Sequence, residues 1–283
     1  MRKILLATVF ALFASTQAFA IFGIGVHYVM NTGSLDADKC GKCEIPLPSS
    51  ENPLIQDAIQ NANIKVTQKS ASGLQGLGFK AWIDLLPYVD IEGTLNIAAT
   101  KYKTSLTIPK VVETDDGDFV IKDTTIDLSY SPASPYNIIP GGSVDPLFGI
   151  VNGDLSVMYP FTDIPLIRPY IGVGFSYFAS IPIANHSFAK KMLTNSKNKD
   201  TFEALLDPEN PKAAEKIKGD LVSTLQSESY TTGMGGHIIA GFRIKPPIIP
   251  LAIYANGKYY IGGNTNSQFS QGFVLEAGGG FAL

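Results

Sequence analysis

The sequence predicts an all-β chain that forms a transmembrane antiparallel up-and-down β-barrel, with eight strands as the favoured count. Eight stretches alternate apolar side chains with small or polar ones, which is the two-residue period of a strand. The connections between these stretches alternate between short and long. Beyond residue 20 no apolar run reaches the roughly 18 residues that a membrane helix needs, so a membrane-spanning form of this chain would use strands.

The first twenty residues are typical of a cleavable secretory signal peptide. Arg2 and Lys3 precede the apolar run 4–13, and the small-residue site Ala18-Phe19-Ala20 follows. Residue 21 is Ile21 rather than a cysteine, which favours an ordinary exported protein over a lipoprotein. We therefore expect a signal peptide at 1–20 and an outer-membrane barrel domain at 21–283.

The charge balance and the cysteines limit the classes of function. Charged residues make up 17% of the chain and the formal net charge is −3, which gives no reason to expect nucleic-acid binding. In an oxidising compartment Cys40 and Cys43 are expected to form a disulfide with each other. A redox pair or half of a zinc site is the alternative, but zinc usually takes four ligands and the sequence has no second cysteine pair.

The strands follow one another along the chain with turn residues between them. A turn at Pro87 joins the second and third stretches, a proline-containing turn joins the fourth and fifth, and Pro246-Pro247 separates the sixth from the seventh. The last stretch is expected to pair with the first, because a barrel must leave no edge in the lipid. The eight predicted strands are 21–30, 77–85, 91–100, 151–159, 171–177, 234–244, 251–261 and 272–283.

The short connections are predicted to lie at one rim of the barrel and the long connections at the other. Short periplasmic turns and long extracellular loops are the pattern of outer-membrane barrels. Within the long loops, the sequence predicts a short helix from Asn52-Pro53 to about Asn63 and an amphipathic helix from Pro211 to Gln226. Segments 102–112 and 119–130 flank an Asp- and Gly-containing turn and predict a hairpin that extends the barrel wall above the membrane. A ten-stranded barrel would count this hairpin as two more spanning strands.

These features resemble the small outer-membrane β-barrel families of diderm bacteria, typified by the OmpA membrane domain, OmpX and OmpW. The resemblance covers the mature chain as architecture and rests on the signal, the alternating strands, the loop asymmetry and the aromatic last strand. It implies contact with outer-membrane lipid and lipopolysaccharide, insertion by the outer-membrane assembly machinery, and a monomer. The chain departs from the commonest pattern because it ends on Leu283, with Phe281 two residues earlier, instead of on a terminal Phe.

Aromatic side chains on the outward face are sorted towards the two ends of the strands. Such sorting favours the aromatic girdles that mark the two membrane interfaces, although aromatic residues are also common in strands generally. The predicted girdle residues are Phe22, Tyr159, Phe242 and Phe281 on the periplasmic side and Tyr28, Phe79, Tyr177, Tyr259 and Phe273 on the other.

The inward face of the predicted strands carries a polar network. In an eight-stranded barrel the interior is just wide enough for side chains to fill it, and buried charges are costly unless they pair. We expect the network to form a closed polar plug; the alternative is a narrow polar path past it for small solutes. Its predicted members are His27, Lys80, Asp84, Glu92, Asp154, His237, Arg243, Lys258 and Glu276.

The sequence predicts no catalytic set, no metal site and no cofactor. His186 and Asp207 lie in a long loop, but no Gly-x-Ser-x-Gly elbow accompanies them, and two inward histidines without an acidic cluster are a weak metal site. The expected role is therefore non-enzymatic, in envelope structure or in interaction with a surface ligand. A channel for small or apolar solutes is the second hypothesis, and an outer-membrane enzyme is the third.

Overall fold

A computed structural model describes residues 22–39, 43–47, 53–86, 89–128, 145–161, 166–193, 213–246 and 249–282. The signal peptide at 1–20 lies outside these residues, as does Cys40, so cleavage after residue 20 and the disulfide of Cys40 with Cys43 stay predictions. Within the described ranges, none of the helices combines the length and apolar character that crossing a membrane requires.

Strands dominate the fold, and a few helices lie between them. The strands are β1 Gly23–Leu35, β2 Glu44–Pro46, β3 Asn63–Gln68, β4 Ala71–Leu86, β5 Val89–Lys101, β6 Thr104–Glu113, β7 Phe119–Asp127, β8 Leu147–Pro160, β9 Ile167–Ser180, β10 Thr231–Ile244, β11 Leu251–Gly262, β12 Phe269–Ser270 and β13 Phe273–Ala282. The helices are α1 Pro53–Ile59, α2 His186–Leu193 and α3 Ala213–Ser227.

Eight of these strands close into a barrel. Their order around the wall is β1, β4, β5, β8, β9, β10, β11 and β13, and every neighbouring pair is antiparallel. Closure comes from β1, which pairs with β4 on one side and with β13 on the other, in a register that sets Gly23 opposite Ala282 and Asn31 opposite Val274. The predicted eight-stranded up-and-down barrel is confirmed.

The two faces of the wall differ in polarity. Outward side chains are apolar and exposed, as for Val26 at 58% and Leu77 at 69%, whereas inward polar side chains such as Glu92 and Lys258 are fully buried. Because strand side chains alternate, the period of two in the sequence separates these two sets. An apolar outer belt around a polar interior is the arrangement of a barrel that spans a membrane.

The hairpin of β6 and β7 does not extend the barrel wall, so that part of the prediction is wrong. β6 pairs with β3, and a separate four-stranded sheet results in the order β2, β3, β6, β7. The physical reason is burial: Leu106 and Ile108 on β6 join an apolar cluster with Ile64 and Val66 on β3. Since the hairpin takes no part in the wall, the barrel has eight strands and not ten.

This sheet and the helices form a cap over the end of the barrel that carries the long connections. α1 packs Ile55 and Ile59 against Val111 on one face of the sheet. The other face joins the cluster that contains Met192 on α2 and Ile217 on α3. Residues 211 and 212, where the second predicted helix was expected to begin, lie outside the described residues.

One apolar cluster runs without a break from the upper barrel interior into the cap. We call it the apolar seal. Its members bury nearly all of their surface, so the upper interior is packed with side chains from both parts. From the barrel come Val29, Leu74, Ala98, Phe148, Phe178 and Val274; from the cap and its connections come Leu106, Ile108, Ile183, Phe188, Met192, Ile217, Leu221 and Phe269.

Candidate functional site

The candidate site is the polar interior below the apolar seal. Inward positions on all eight barrel strands contribute to it, because each strand turns every second side chain to the lumen. Asp84 is nearly buried, with 6% of its side chain exposed. The other eight predicted members are buried as whole residues: His27, Lys80, Glu92, Asp154, His237, Arg243, Lys258 and Glu276.

The upper part of the network centres on Lys258. Its Nζ lies 2.8 Å from Asp154 Oδ2 and 2.9 Å from Glu276 Oε1, and all three side chains are fully buried. The Tyr260 hydroxyl donates a hydrogen bond to Asp154 Oδ2 at 2.9 Å, and the Asn96 amide donates one to Glu276 Oε1 at 2.7 Å. Asp154 and Glu276 therefore each have both a cation and a neutral donor.

The lower part centres on Arg243, near the rim that carries the short turns. Its Nη1 donates a hydrogen bond to Asp84 Oδ1 at 3.0 Å, and its guanidinium carbon lies 4.6 Å from the centre of the Trp82 ring. Lys80 joins the two parts, because its Nζ lies 2.8 Å from Glu92 Oε1 and 3.4 Å from Glu276 Oε2. The result is one continuous series of oppositely charged neighbours.

Two charged members of this series, Asp90 and Arg168, were absent from the sequence prediction. Arg168 Nη2 lies 3.1 Å from Asp90 Oδ1, and Arg168 Nη1 lies 3.3 Å from Asp84 Oδ2. Asp90 could have been found, since it precedes Glu92 by two residues and shares its face. Arg168 was placed in a turn because the pattern started the fifth strand at 171, whereas β9 begins at Ile167.

The described interior thus holds five carboxylates and four fixed cations in close contact. A single unpaired charge in this space would cost several kcal/mol, and removing one partner of a buried pair typically destabilises a protein by about 3–5 kcal/mol. The carboxylates are Asp84, Asp90, Glu92, Asp154 and Glu276, and the cations are Lys80, Arg168, Arg243 and Lys258.

The two inward histidines lie in separate hydrogen-bonded groups. His27 Nε2 donates to Asn96 Oδ1 at 2.7 Å, which leaves Nδ1 to accept from the Tyr254 hydroxyl at 3.3 Å. His237 lies between two serine hydroxyls, with Ser156 Oγ 2.8 Å from Nε2 and Ser176 Oγ 2.7 Å from Nδ1. In the described ranges no group of three or more His, Cys, Asp and Glu side chains is arranged to hold a metal ion.

Gly78 makes the hydrogen bond of His27 to Asn96 geometrically feasible. It stands between them on β4, opposite His27 on β1 and opposite Asn96 on β5. A Cβ atom at this position would overlap His27 Nε2 and Asn96 Oδ1. Glycine is therefore the residue that lets two side chains from β1 and β5 meet across the intervening strand.

We predict that Gly78→Ala destabilises the barrel by about 1–3 kcal/mol, because the added methyl group overpacks the interior. Gly93→Ala is the matched control: Gly93 lies on the outward face of the adjacent strand, and a Cβ there meets no atom within 4 Å. Its effect should stay within about 0.5 kcal/mol. Denaturant unfolding followed by the fluorescence of the single tryptophan measures both. Equal stability of the two variants would contradict this account of Gly78.

The nine predicted girdle residues are all exposed on the outer wall. Phe22 and Phe281 lie at one end of their strands, and Tyr177 and Phe273 lie towards the other. Phe79, in contrast, lies near the middle of the sixteen-residue strand β4. The remaining members with exposed side chains are Tyr28, Tyr159, Phe242 and Tyr259.

The loop histidine considered in the sequence serves a structural contact. The backbone N–H of His186, at the start of α2, donates a hydrogen bond to Asp38 Oδ2 at 2.6 Å, and Asn185 Oδ1 accepts one from the backbone of Phe188 at 2.8 Å. These bonds satisfy N–H groups of the first helical turn. Asp207 lies outside the described residues.

No protein-family model matches the sequence, and no curated protein matches it. Among solved structures, Ail, the attachment invasion locus protein of Yersinia pestis, matches at 8% identity and a TM-score of 0.36, over 92% of this chain and 96% of that one. Ail in complex with the heparin analogue sucrose octasulfate matches at 7% identity and 0.38, with the same coverages. The outer membrane protein OprG from Pseudomonas aeruginosa matches at 13% identity and 0.37, over 92% and 94%. From its own closed wall of eight antiparallel strands, the chain has the architecture of the small outer-membrane barrels, of the OmpA, OmpX and OmpW type.

Proposed function

We propose that this protein is a closed, non-enzymatic barrel in the outer membrane of a diderm bacterium, where it serves envelope structure or surface interaction. The observation that carries the proposal is the packed interior. Side chains fill the barrel from the lower ion pairs around Arg243 up to the seal around Phe178. A barrel filled in this way is a plug rather than an open pore.

The charge pairing of the interior supports the plug. The carboxylates and fixed cations of the network lie within 4 Å of an opposite charge, so an ion entering the lumen would have to break a buried pair such as Lys258 with Asp154. Breaking such a pair costs several kcal/mol, which opposes steady conduction. The histidines also support a structural role, since both ring nitrogens of His237 are engaged by serine hydroxyls.

The apolar seal supports the same conclusion at the other end. Phe148 and Phe269 pack with ring centres 4.9 Å apart, and Phe178 packs against Tyr260 at 5.1 Å. An apolar constriction of this kind excludes water and therefore excludes hydrated ions. The cap completes the seal from outside, so its surface is the part of the protein offered to a surface ligand.

The remaining parts of the proposal concern delivery and surroundings. Residues 1–20 act as the signal peptide for export, and the assembly machinery of the outer membrane inserts the mature chain as a monomer. The exposed apolar belt then contacts lipid, with lipopolysaccharide around the rim that carries the long connections. No cofactor takes part.

Single-channel recording in a planar bilayer tests the plug directly. We expect the purified, refolded protein to give no steady conductance steps, while a porin inserted in the same bilayer gives them as a positive control. A band shift between unheated and boiled protein on a denaturing gel verifies that the barrel is folded. Steady steps whose size changes on substitution of Lys258 or Glu276 would overturn the plug and favour the channel hypothesis.

A further inference from the structure

A polar pocket lies outside the barrel interior, at the rim that carries the long connections. It has a volume of about 340 Å³ and is formed by the connection of β11 to β13 together with the end of β1. We call it the rim pocket. The residues that matter for its chemistry are Asp36, Tyr260, Asn264, Ser267, Phe269 and Gln271.

The connection that forms the rim pocket has a defined shape. The backbone N–H of Asp36 donates to the carbonyl of Gln268 at 2.8 Å, and Asn266 Oδ1 accepts from the Gln268 backbone at 2.9 Å. The turn begins with positive backbone φ angles at Gly262 and Gly263, a conformation that glycine adopts at no steric cost. The pocket is therefore built on a connection with its own hydrogen bonds.

The Gln271 side chain is the observation that points to a ligand. Its Nε2 and Oε1 atoms are both buried, and neither has a hydrogen-bond partner among the described residues. Leaving a buried polar group unsatisfied costs about 1–3 kcal/mol, so these atoms call for a partner that enters from outside the chain.

The charge and shape of the lining restrict what that partner is. Among the lining residues the only charged side chain is Asp36, whose carboxylate disfavours phosphate, sulfate and other anions. Lys39 Nζ lies 2.8 Å from Asp36 Oδ2, but the Lys39 side chain is 79% exposed, so it points largely into solvent. Tyr260 and Phe269 also line the pocket, but both are buried and the Tyr260 hydroxyl is already engaged by Asp154, so the accessible lining is mainly polar.

We propose that the rim pocket binds a neutral sugar unit. Adjacent hydroxyl groups of a sugar both donate and accept hydrogen bonds, which matches the free N–H and C=O of the Gln271 amide. A third hydroxyl donates to Asp36. The position of the pocket on the outer cell surface rests on the orientation proposed above, whereas the binding itself does not.

Ligand-observed NMR on the refolded full-length protein tests the proposal. Saturation transfer is measured separately to glucose, galactose, mannose and N-acetylglucosamine in lauryldimethylamine oxide, a detergent without a sugar headgroup. We expect transfer to at least one of them. Gln271→Leu should weaken its binding about tenfold, as the loss of two hydrogen bonds implies. Gln75→Leu, the same substitution on the exposed wall strand β4, should leave it unchanged.

Several results would overturn the proposal. Absence of transfer to every sugar would mean that the pocket holds water only, and equal binding by wild type and Gln271→Leu would place the sugar elsewhere.

If Gln271→Leu fails to give the folded gel band, Ser267→Trp replaces it, because Ser267 is exposed and a large ring there fills the pocket. A purified bacterial polysaccharide added as competitor then separates free sugar from a surface glycan as the natural source. If the protein binds a sugar and still shows no conductance, the plug proposal is unaffected. Each proposal can therefore fail without the other.

Discussion

Replacing Lys258 with methionine should cost about 3–5 kcal/mol of unfolding free energy, the largest effect expected of a single substitution in this barrel. The substitution keeps an unbranched side chain, shorter by one atom. It leaves Asp154 without its only cation within 4 Å among the described residues, and Lys80 becomes the only fixed cation beside Glu276 there. Guanidinium unfolding in detergent, followed by the fluorescence of Trp82, measures the change. Trp82 suits this purpose because it is the only tryptophan and is 1% exposed inside the barrel.

Two further variants distinguish the effect of leaving buried carboxylates unpaired from the effect of losing a lysine. Lys122→Met removes an exposed lysine from β7 in the cap and should change stability by no more than about 0.5 kcal/mol. Adding Asp154→Asn and Glu276→Gln to Lys258→Met removes the two carboxylate charges that Lys258 had paired and should recover part of the lost stability. If Lys258→Met unfolds at the same denaturant concentration as Lys122→Met, the network does not hold the interior together.

Val26→Arg should destabilise the barrel in lipid vesicles by about 2–4 kcal/mol, the cost of a cation on the lipid face near the bilayer midplane. Val26 lies on the outer wall between Gly279 on β13 and Phe79 on β4, and 58% of its surface is exposed. In a water-soluble protein, an arginine at such an exposed position would be nearly neutral. The size of the effect therefore reports whether this face meets lipid.

Val120→Arg is the matched control for the membrane face. Val120 lies on β7 of the cap and is 45% exposed, so the same substitution there meets water and should cost no more than about 0.5 kcal/mol. Unfolding of both variants from vesicles by guanidinium gives the comparison. Equal losses for Val26→Arg and Val120→Arg would show that the outer wall does not contact hydrocarbon.

The barrel was predictable from sequence because its two faces meet different surroundings. Alternation at positions such as Val26 and His27 separates an exposed apolar face from a buried polar one, and it identified the strands and their inward residues. Strand ends were less certain, because a proline such as Pro169 looks like a turn even where the register continues through it opposite Phe242. For that reason the prediction omitted Arg168 from the inward residues.

The cap and the partners within the lumen could not be predicted in the same way. Which inward charges meet depends on the register between strands, and the sequence shows only that Lys258 and Glu276 share a face. The pairing of β3 with β6 joins segments about forty residues apart, and no local sequence pattern predicts it. The role of Gly78 could not be predicted either. A glycine in a strand does not show which side chains of the two neighbouring strands will meet over it.

The apolar seal divides the cap into positions that are free to change and positions that are not. Leu106, Ile183 and Phe188 fill the mouth of the barrel, so a polar substitution there would open a water-filled gap above the ion pairs. The far strand β7 is largely exposed and touches the barrel little. If the cap faces the outside of the cell, as proposed, sequence variation should accumulate at the exposed positions of 113–127. Phe119, Ile121 and Ile126 pack against the two apolar clusters and should stay fixed together with the inner side of the sheet. The outer face of the cap can then diverge quickly on a barrel that hardly changes.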